Sequence, residues 1–377
     1  MSETYIFWGQ DVSLFSGKVR AYLRYKQIPY EERTPGLDTL KREFIPRNGT
    51  HLIPVIYTPD GLSVQDTTRI IDFLEGRFPA PAIYPSGPRQ TFVALLLESY
   101  GDGGLLPHAM HYRWNFFDQN RHVIEPDFGA LIDPSLDHEA RIKASGQLTE
   151  RMRSMLGPLG INKRTSPLIE EDLAGLWAEL DAHFEQHAFL LGDRPSIGDF
   201  GLMGSHYAHL YRDPHPGELM RRTAPALARW VERMNSTAPS RGDFVSDDGI
   251  PETLLPVLTR VFKTWAPLGL EAIAAFDAEY ERGQGGSIPR FLPRQQPPSR
   301  VGVVEPAAII PDIHWKLQRA IRYYQTMPEA FKRPVEELVR EVGGDATIQT
   351  RIAHPLTLIS GRIAWDIEAA LTARYQG

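Results

Sequence analysis

Apolar and polar positions divide the chain into a short mixed segment and a long helical one. Thr4-Tyr5-Ile6-Phe7-Trp8 is a β-branched and aromatic run and predicts a strand. Between Leu14 and Lys26, Phe15, Val19, Tyr22 and Leu23 fall at i, i+4, i+7 and i+8, one face of a helix that Ser13 is placed to cap. Pro29 ends that helix, and Tyr30 to Arg33 can form a second strand. Residues 34–50 contain Pro35, Gly36, Pro46, Asn48 and Gly49, which predicts loops around at most a short helix. Pro54-Val55-Ile56-Tyr57, the turn Pro59-Asp60-Gly61 and Leu62-Ser63-Val64 predict a β-hairpin. Ile70, Ile71, Phe73, Leu74 and Phe78 then make the buried stripe of a helix opening at Asp66 or Thr67. The order βαβ, connection, ββα is that of an α/β unit whose single sheet is covered by helices.

Past the proline-rich linker Pro79–Pro88 the strand signals stop. Helical spacing runs through Thr91 to Tyr100, Leu105 to Phe117, His138 to Leu156, Ile169 to Leu191, Ile197 to Tyr211 and Pro225 to Met234. The remainder has helical stretches near 252–282, 313–325, 329–341 and 357–374, interrupted by a Gly/Pro-rich piece from Gly283 to Pro311. The expected organisation is 1–85 as the α/β domain, 86–245 as an all-helical domain and 246–377 as a mainly helical extension. Trp265, Trp315 and Trp365 are expected to be buried anchors of that extension.

Composition removes several kinds of chemistry. The 377 residues include no cysteine, so disulfides, thiolate metal sites and a cysteine nucleophile are excluded. The net charge of −6 and the lack of a long basic run argue against nucleic acid or anionic membrane as a partner. No apolar run reaches the roughly 18 residues of a membrane span, and the start MSETYIFWGQ does not read as a signal peptide, so the cytoplasm is the expected location. His183/His187 and His206/His209 share helix faces, but no third metal ligand is indicated, and the expectation is no metal.

Four local patterns, in this order, resemble the glutathione transferase superfamily over residues 4–240. Ser13-Leu14-Phe15-Ser16-Gly17-Lys18-Val19-Arg20 resembles the segment opening the first helix, where that family carries its catalytic Ser or Cys. Leu52-Ile53-Pro54-Val55 resembles the step before the third strand, whose proline is cis in the family. Val64-Gln65-Asp66-Thr67 resembles the acid-Ser motif, with Thr in place of Ser. Leu190-Leu191-Gly192-Asp193-Arg194-Pro195-Ser196-Ile197-Gly198-Asp199 resembles the capping-box segment of the helical domain. The resemblance implies a thioredoxin-like domain followed by an all-α domain, with glutathione as co-substrate and a homodimeric assembly. The distance from linker to capping box exceeds the usual pattern, which places an insertion within about 120–170.

Under that resemblance, the Ile53 N–H and C=O beside Pro54 pair with the tripeptide backbone. The γ-glutamyl carboxylate meets Thr67 at a helix N-terminus, and Asp66, with Gln65, meets the ammonium group. Ser13 is the expected thiolate stabiliser, Ser16 the second choice and Tyr5 a distant third; simple N-capping by Ser13 is the competing reading. Leu52 stands where Lys or Gln often meets the glycine carboxylate, leaving Arg47 or His51 as substitutes. His108, His111 and Tyr112 are candidates for the pocket of a small hydrophobic electrophile, against the reading that they pack at a domain interface. The expected function is glutathione transfer; the alternatives are a non-catalytic transferase-like interaction module and a glutathione-dependent isomerase or dehalogenase.

Overall fold

The computed structural model describes residues 4–236, 242–283, 285–294 and 306–367. Its first segment comprises β1 (Tyr5–Trp8), α1 (Leu14–Tyr25), β2 (Tyr30–Arg33), α2 (Leu37–Thr39), a π-helical turn at Leu40–Phe44, α3 (Ile45–Asn48), β3 (Val55–Tyr57), β4 (Ser63–Gln65) and α4 (Thr67–Arg77). The strands lie in the order β2-β1-β3-β4. β2 runs parallel to β1, whereas β3 is antiparallel to both β1 and β4. The predicted α1 stripe is buried at Val19, Tyr22 and Leu23, against Phe7 and Ile56 of the sheet and Ile70, Ile71 and Leu74 of α4. Residues 34–50 are more helical than expected. Pro46 lies where the π-helical turn passes into α3, and Gly49 closes the stretch with φ +70°.

The second segment is helical: α5 (Pro88–Ser99), a π-helical turn at Tyr100–Gly104, α6 (Leu106–Trp114), α7 (Phe117–Ile132), α8 (His138–Ala144), α9 (Gly146–Arg153), α10 (Ser166–Phe184), α11 (Ile197–Ala208), α12 (Pro214–Thr223) and α13 (Pro225–Met234). α7 and α12 were not predicted. Pro126 and the Pro214-His215-Pro216 opening of α12 read as breakers; Pro214 and Pro216 fall in the first turn of α12, where proline loses no hydrogen bond, whereas Pro126 lies within α7 and cannot donate to the carbonyl of His122. The stretch expected to run from His138 to Leu156 breaks at Ser145 into α8 and α9. The capping box is present at the start of α11, with Ser196 N donating to Asp199 at 2.8 Å. Asp199 also accepts from Leu190 N at 3.0 Å and Trp230 Nε1 at 3.1 Å, tying two helices to the preceding loop. Burial pushes its carboxyl up to about 6 against those donors.

The extension adds α14 (Leu255–Thr264), α15 (Ala266–Gly283), the pair β5 (Leu292–Pro293) and β6 (Ala308–Ile309), α16 (Pro311–Thr326), α17 (Glu329–Glu341), α18 (Asp345–Gln349), β7 (Leu356–Ile359) and β8 (Arg362–Trp365). The helix expected over 252–282 is divided at Trp265, because Pro267 cannot donate to the carbonyl of Lys263. The helix expected over 357–374 is a correction. Residues 356–365 form an antiparallel hairpin with Ser360 and Gly361 both at positive φ, the conformation of a tight two-residue turn. Leu356 and Leu358 point inward and Ile359 outward, a period of two rather than 3.6. The rest of that stretch, from 368, lies outside the described residues.

One apolar cluster runs through all three segments, from Ile56 and Leu74 through Leu96 and Trp230 to Trp265, Leu317 and Leu356. α5 is buried at every position from Gln90 to Ser99, between α11 on one side and α16 and α17 on the other. Trp265 and Trp365 are buried anchors whose Nε1 groups donate to Ser99 Oγ at 3.0 Å and Gly286 O at 2.7 Å. Trp315 is half-buried and carries the Lys316 ammonium 4.4 Å from its ring centre.

Candidate functional site

Sheet register gathers the motifs predicted from sequence. Trp8 pairs with Val55, and Val55 with Gln65, so the exit of β1, the entry of β3 and the exit of β4 share one end of the sheet. At that end the Ile53–Pro54 peptide is cis. The Ile53 N–H and C=O have no hydrogen-bond partner among the described residues. Asp66 adopts φ +81° and caps α4 by accepting from Thr68 N at 2.9 Å and Arg69 N at 3.3 Å. That cap leaves the next residue unserved: the Thr67 hydroxyl is buried without a partner, and no acceptor faces its N–H among the described residues. Ser13 caps α1, its Oγ accepting from Ser16 N at 3.2 Å while its own O–H remains available. Ser13 is half-buried, whereas Ser16 is fully buried with an unpartnered hydroxyl. Gln65 is half-buried at the end of β4. Arg47 and His51 are exposed, Arg47 lying over the Tyr57 ring at 4.8 Å, and Leu52 is 51% exposed.

Behind this edge lies a buried charge network that sequence reasoning missed. Lys18 of α1 is fully buried and donates to Glu98 at 2.8 Å and Asp102 at 2.9 Å. Glu98 accepts also from Thr68 Oγ1 at 3.0 Å and from Arg319 at 2.6 Å. Burial opposes ionisation of Glu98, but Arg319, Lys18 and Lys316 together hold it down at about 2. Lys316, from α16, donates to Asp102 at 2.8 Å and to Thr68 Oγ1 at 3.3 Å, and lies 3.8 Å from Asp66. The extension thus reaches the same helix N-terminus as the predicted head-group motif. A second contact does so from the hairpin: Arg69 donates to Leu358 O at 2.7 Å, and a Cβ on Gly49 would lie 2.3 Å from the Ser360 carbonyl oxygen. The one sequence signal was a lone glutamate and a lone lysine in apolar helical stretches, Leu95-Leu96-Leu97-Glu98 and Gly17-Lys18-Val19.

Comparison with known proteins bears on the two domains. Residues 8–82 match the family model for the glutathione S-transferase N-terminal domain, and residues 148–233 match that for its C-terminal domain. The chain belongs to the glutathione S-transferase superfamily. No curated protein matches it. Among solved structures, it is similar to a glutathione transferase from Phanerochaete chrysosporium at 17% identity, covering 65% of this chain and 100% of that one with a TM-score of 0.46. It is similar also to a beta-etherase from Sphingobium sp. strain SYK-6 at 18% identity, covering 62% and 95% with a TM-score of 0.45. A glutathione S-transferase from Methylobacterium radiotolerans, solved with glutathione sulfonate, has 19% identity, coverage of 64% and 98% and a TM-score of 0.39. Likenesses this distant add no argument to the two domain matches.

In this member of the superfamily, a cavity of about 200 Å³ opens beside Phe15 on the first turn of α1. Its wall combines Tyr100, Leu106 and His108 of the helical segment with Trp265, Ile313 and Lys316 of the extension. Of the three residues expected to line a substrate pocket, His108 lies in this wall, held by Asp172 at 2.9 Å. Asp172 is also bound by Arg260 at 2.5 Å; burial raises its pKa, but His108 and Arg260 bring it below the usual carboxylate range. His111 and Tyr112 lie apart from the cavity wall. His111 Nε2 meets Glu170 at 2.9 Å and its Nδ1 meets Asn115 at 2.8 Å, and burial lowers its pKa. Tyr112 stacks on Phe116 and Trp177, as expected of packing side chains. Of the other paired histidines, His183 and His187 stack on each other, and His206 Nδ1 meets Leu202 O at 2.9 Å. No group of three or more metal-ligating side chains converges among the described residues.

Proposed function

We propose that the protein binds glutathione along Ile53 and Thr67 and transfers its thiolate to a small hydrophobic electrophile. One observation carries this reading: at a single end of the sheet, the Ile53 backbone, the Thr67 N–H and hydroxyl, and the Ser13 O–H all lack partners. An extended peptide satisfies a free backbone donor and acceptor by strand addition. A carboxylate satisfies an uncapped helix N-terminus. A hydroxyl donating to sulfur stabilises the thiolate and lowers a thiol pKa from about 8.5. Ser13 suits that role better than Ser16, because Ser13 caps α1 beside the sheet end whereas Ser16 lies within the helix. The sulfur lone pair then forms the C–S bond as the leaving group departs with its electron pair, and the thiol proton passes to solvent. The cavity beside Phe15, with His108 in its wall, supplies apolar space for the electrophile. Isomerisation or dehalogenation uses the same thiolate and differs only in the second substrate.

A non-catalytic role is the second reading, and Lys316 is the observation that favours it: a positive group already stands 3.8 Å from Asp66, where the tripeptide ammonium was expected. A homodimer remains part of the proposal, but its surface must lie away from α5, which is buried within one chain. Titration calorimetry separates the two readings. Transfer requires heat of binding at millimolar glutathione or below, and its absence ends the transferase reading. With binding established, Ser13→Ala is expected to lower kcat with a chromogenic aryl halide by about 10²-fold while changing glutathione affinity by less than about threefold. An equal loss in both would make Ser13 a binding or capping residue only.

A further inference from the structure

Arg113 lies on α6, five residues beyond His108, but outside the cavity wall, and it is fully buried. Its Nε and Nη2 donate to the two carboxylate oxygens of Asp213 at 2.6 and 2.9 Å. Nη2 also donates to Ala208 O at 2.6 Å, at the end of α11. The remaining nitrogen, Nη1, donates to Val12 O at 2.6 Å. Val12 immediately precedes Ser13, whose own N–H donates to Gln10 O at 3.0 Å. Both sides of the Val12–Ser13 peptide group are therefore held, and the Val12 side chain is buried beside Met110 and Trp114 of α6. A peptide group is planar and rigid, so fixing it fixes the Ser13 φ of −89° and the direction of its Cα–Cβ bond. A buried ion pair is often no more stabilising than apolar residues of the same volume. What the guanidinium fork adds is direction, because a lysine ammonium does not serve three acceptor groups in that planar arrangement.

We propose that Arg113 is a positioning residue for Ser13: by holding the Val12–Ser13 peptide it aims the Ser13 hydroxyl at the glutathione sulfur. The inference rests on the transferase reading of Ser13 and extends it to a residue of the helical segment that touches no substrate. A hydrogen bond weakens steeply as its angle falls toward about 120°, so a modest rotation of that peptide withdraws the donor from sulfur. Stabilisation of the thiolate goes with it, and the thiol pKa climbs back toward about 8.5. In the same reading glutathione is held by Ile53 and Thr67, so its affinity stays nearly unchanged. Direction matters here more than charge, since Asp213 neutralises the guanidinium within the same cluster.

Two measurements on the full chain test this: steady-state kinetics with the chromogenic aryl halide, and the ultraviolet absorbance of bound glutathione thiolate across pH. Arg113→Lys keeps a cation beside Asp213 and withdraws the donor from Val12 O. It is expected to lower kcat by about tenfold, to raise the pKa of the bound thiol by about one pH unit, and to change glutathione affinity by less than about threefold. Added to Ser13→Ala, the same substitution is expected to change kcat by less than about twofold, because the hydroxyl it aims is gone. A tenfold loss in both backgrounds overturns the proposal and makes Arg113 structural only. Unchanged kcat and thiol pKa in Arg113→Lys alone overturn it too. Should Arg113→Lys fail to fold, Arg113→Met combined with Asp213→Leu removes both charges together, and the same outcomes decide. If Ser13→Ala itself changes neither kcat nor thiol pKa, the reading of Ser13 falls as well; if only Arg113→Lys is silent, this inference alone falls.

Discussion

Glu98 shows how a single side chain can join three parts of a chain. It accepts from Lys18 of α1, Thr68 of α4 and Arg319 of α16, so its removal leaves two buried cations short of a partner. Glu98→Ala is expected to lose about 3–5 kcal/mol of stability in urea denaturation. His314 presents the opposite case. Both its ring nitrogens are buried without partners, and burial pushes its pKa down to about 3. The unfolded chain takes up that proton near pH 6.5, while the folded chain refuses it until about pH 3. Stability from neutral His314 is thus present at pH 7 and is lost as the pH falls through 6.5 toward 3. Between pH 7 and pH 5 that loss is on the order of 2 kcal/mol, so His314→Leu should show a correspondingly smaller drop in unfolding free energy over the same range. Neither residue has a local pattern that reveals its surroundings. A lone glutamate after three leucines looks like a helix-surface charge until another helix covers it.

Among the elements, those with a strong period were legible, and those shaped by contact were not. The α1 stripe, the β3–β4 hairpin and the capping box follow from spacing alone because each is stabilised within a few residues. The β7–β8 hairpin was misread because its ten residues contain enough apolar positions to satisfy a helical spacing. Packing of Leu356 and Leu358 against the core selected the period of two. The crossing of α5 with α11 depends on glycine in a way that spacing hides: a Cβ on Gly201 would lie 2.5 Å from Glu98 Cα, which is backbone and cannot step aside. Gly201→Ala is expected to cost about 1–3 kcal/mol by forcing the helices apart. A loss below about 0.5 kcal/mol would show that the pair separates freely.

At the scale of the molecule, the extension is a wall of the core and of the candidate site. It covers α5, roofs the cavity with Trp265 and Ile313, and brings Lys316 and Arg319 to the charges of the first two segments. A chain ending at residue 245 would expose the face of α5 and leave Glu98 and Asp102 sharing Lys18 alone. Such a truncation is expected to be insoluble or to unfold without cooperativity, as read by circular dichroism through a thermal scan. A cooperative, monomeric product would show that the first two segments hold their own core.

The sequence alone determined what short-range physics controls: the α/β unit, the linker, the helical second segment, and the Ser13, Ile53-Pro54 and Asp66-Thr67 motifs with their superfamily resemblance. Each depends on periodicity, proline or capping chemistry acting over a few positions. Only the tertiary structure decided which of these motifs share a sheet edge, that Ser16 is buried while Ser13 is half-buried, and that Lys316 stands beside Asp66. Those outcomes depend on residues up to 250 positions apart in the chain (66 to 316) meeting in a low-dielectric interior. Coulomb attraction and desolvation there are set by geometry that no local pattern records.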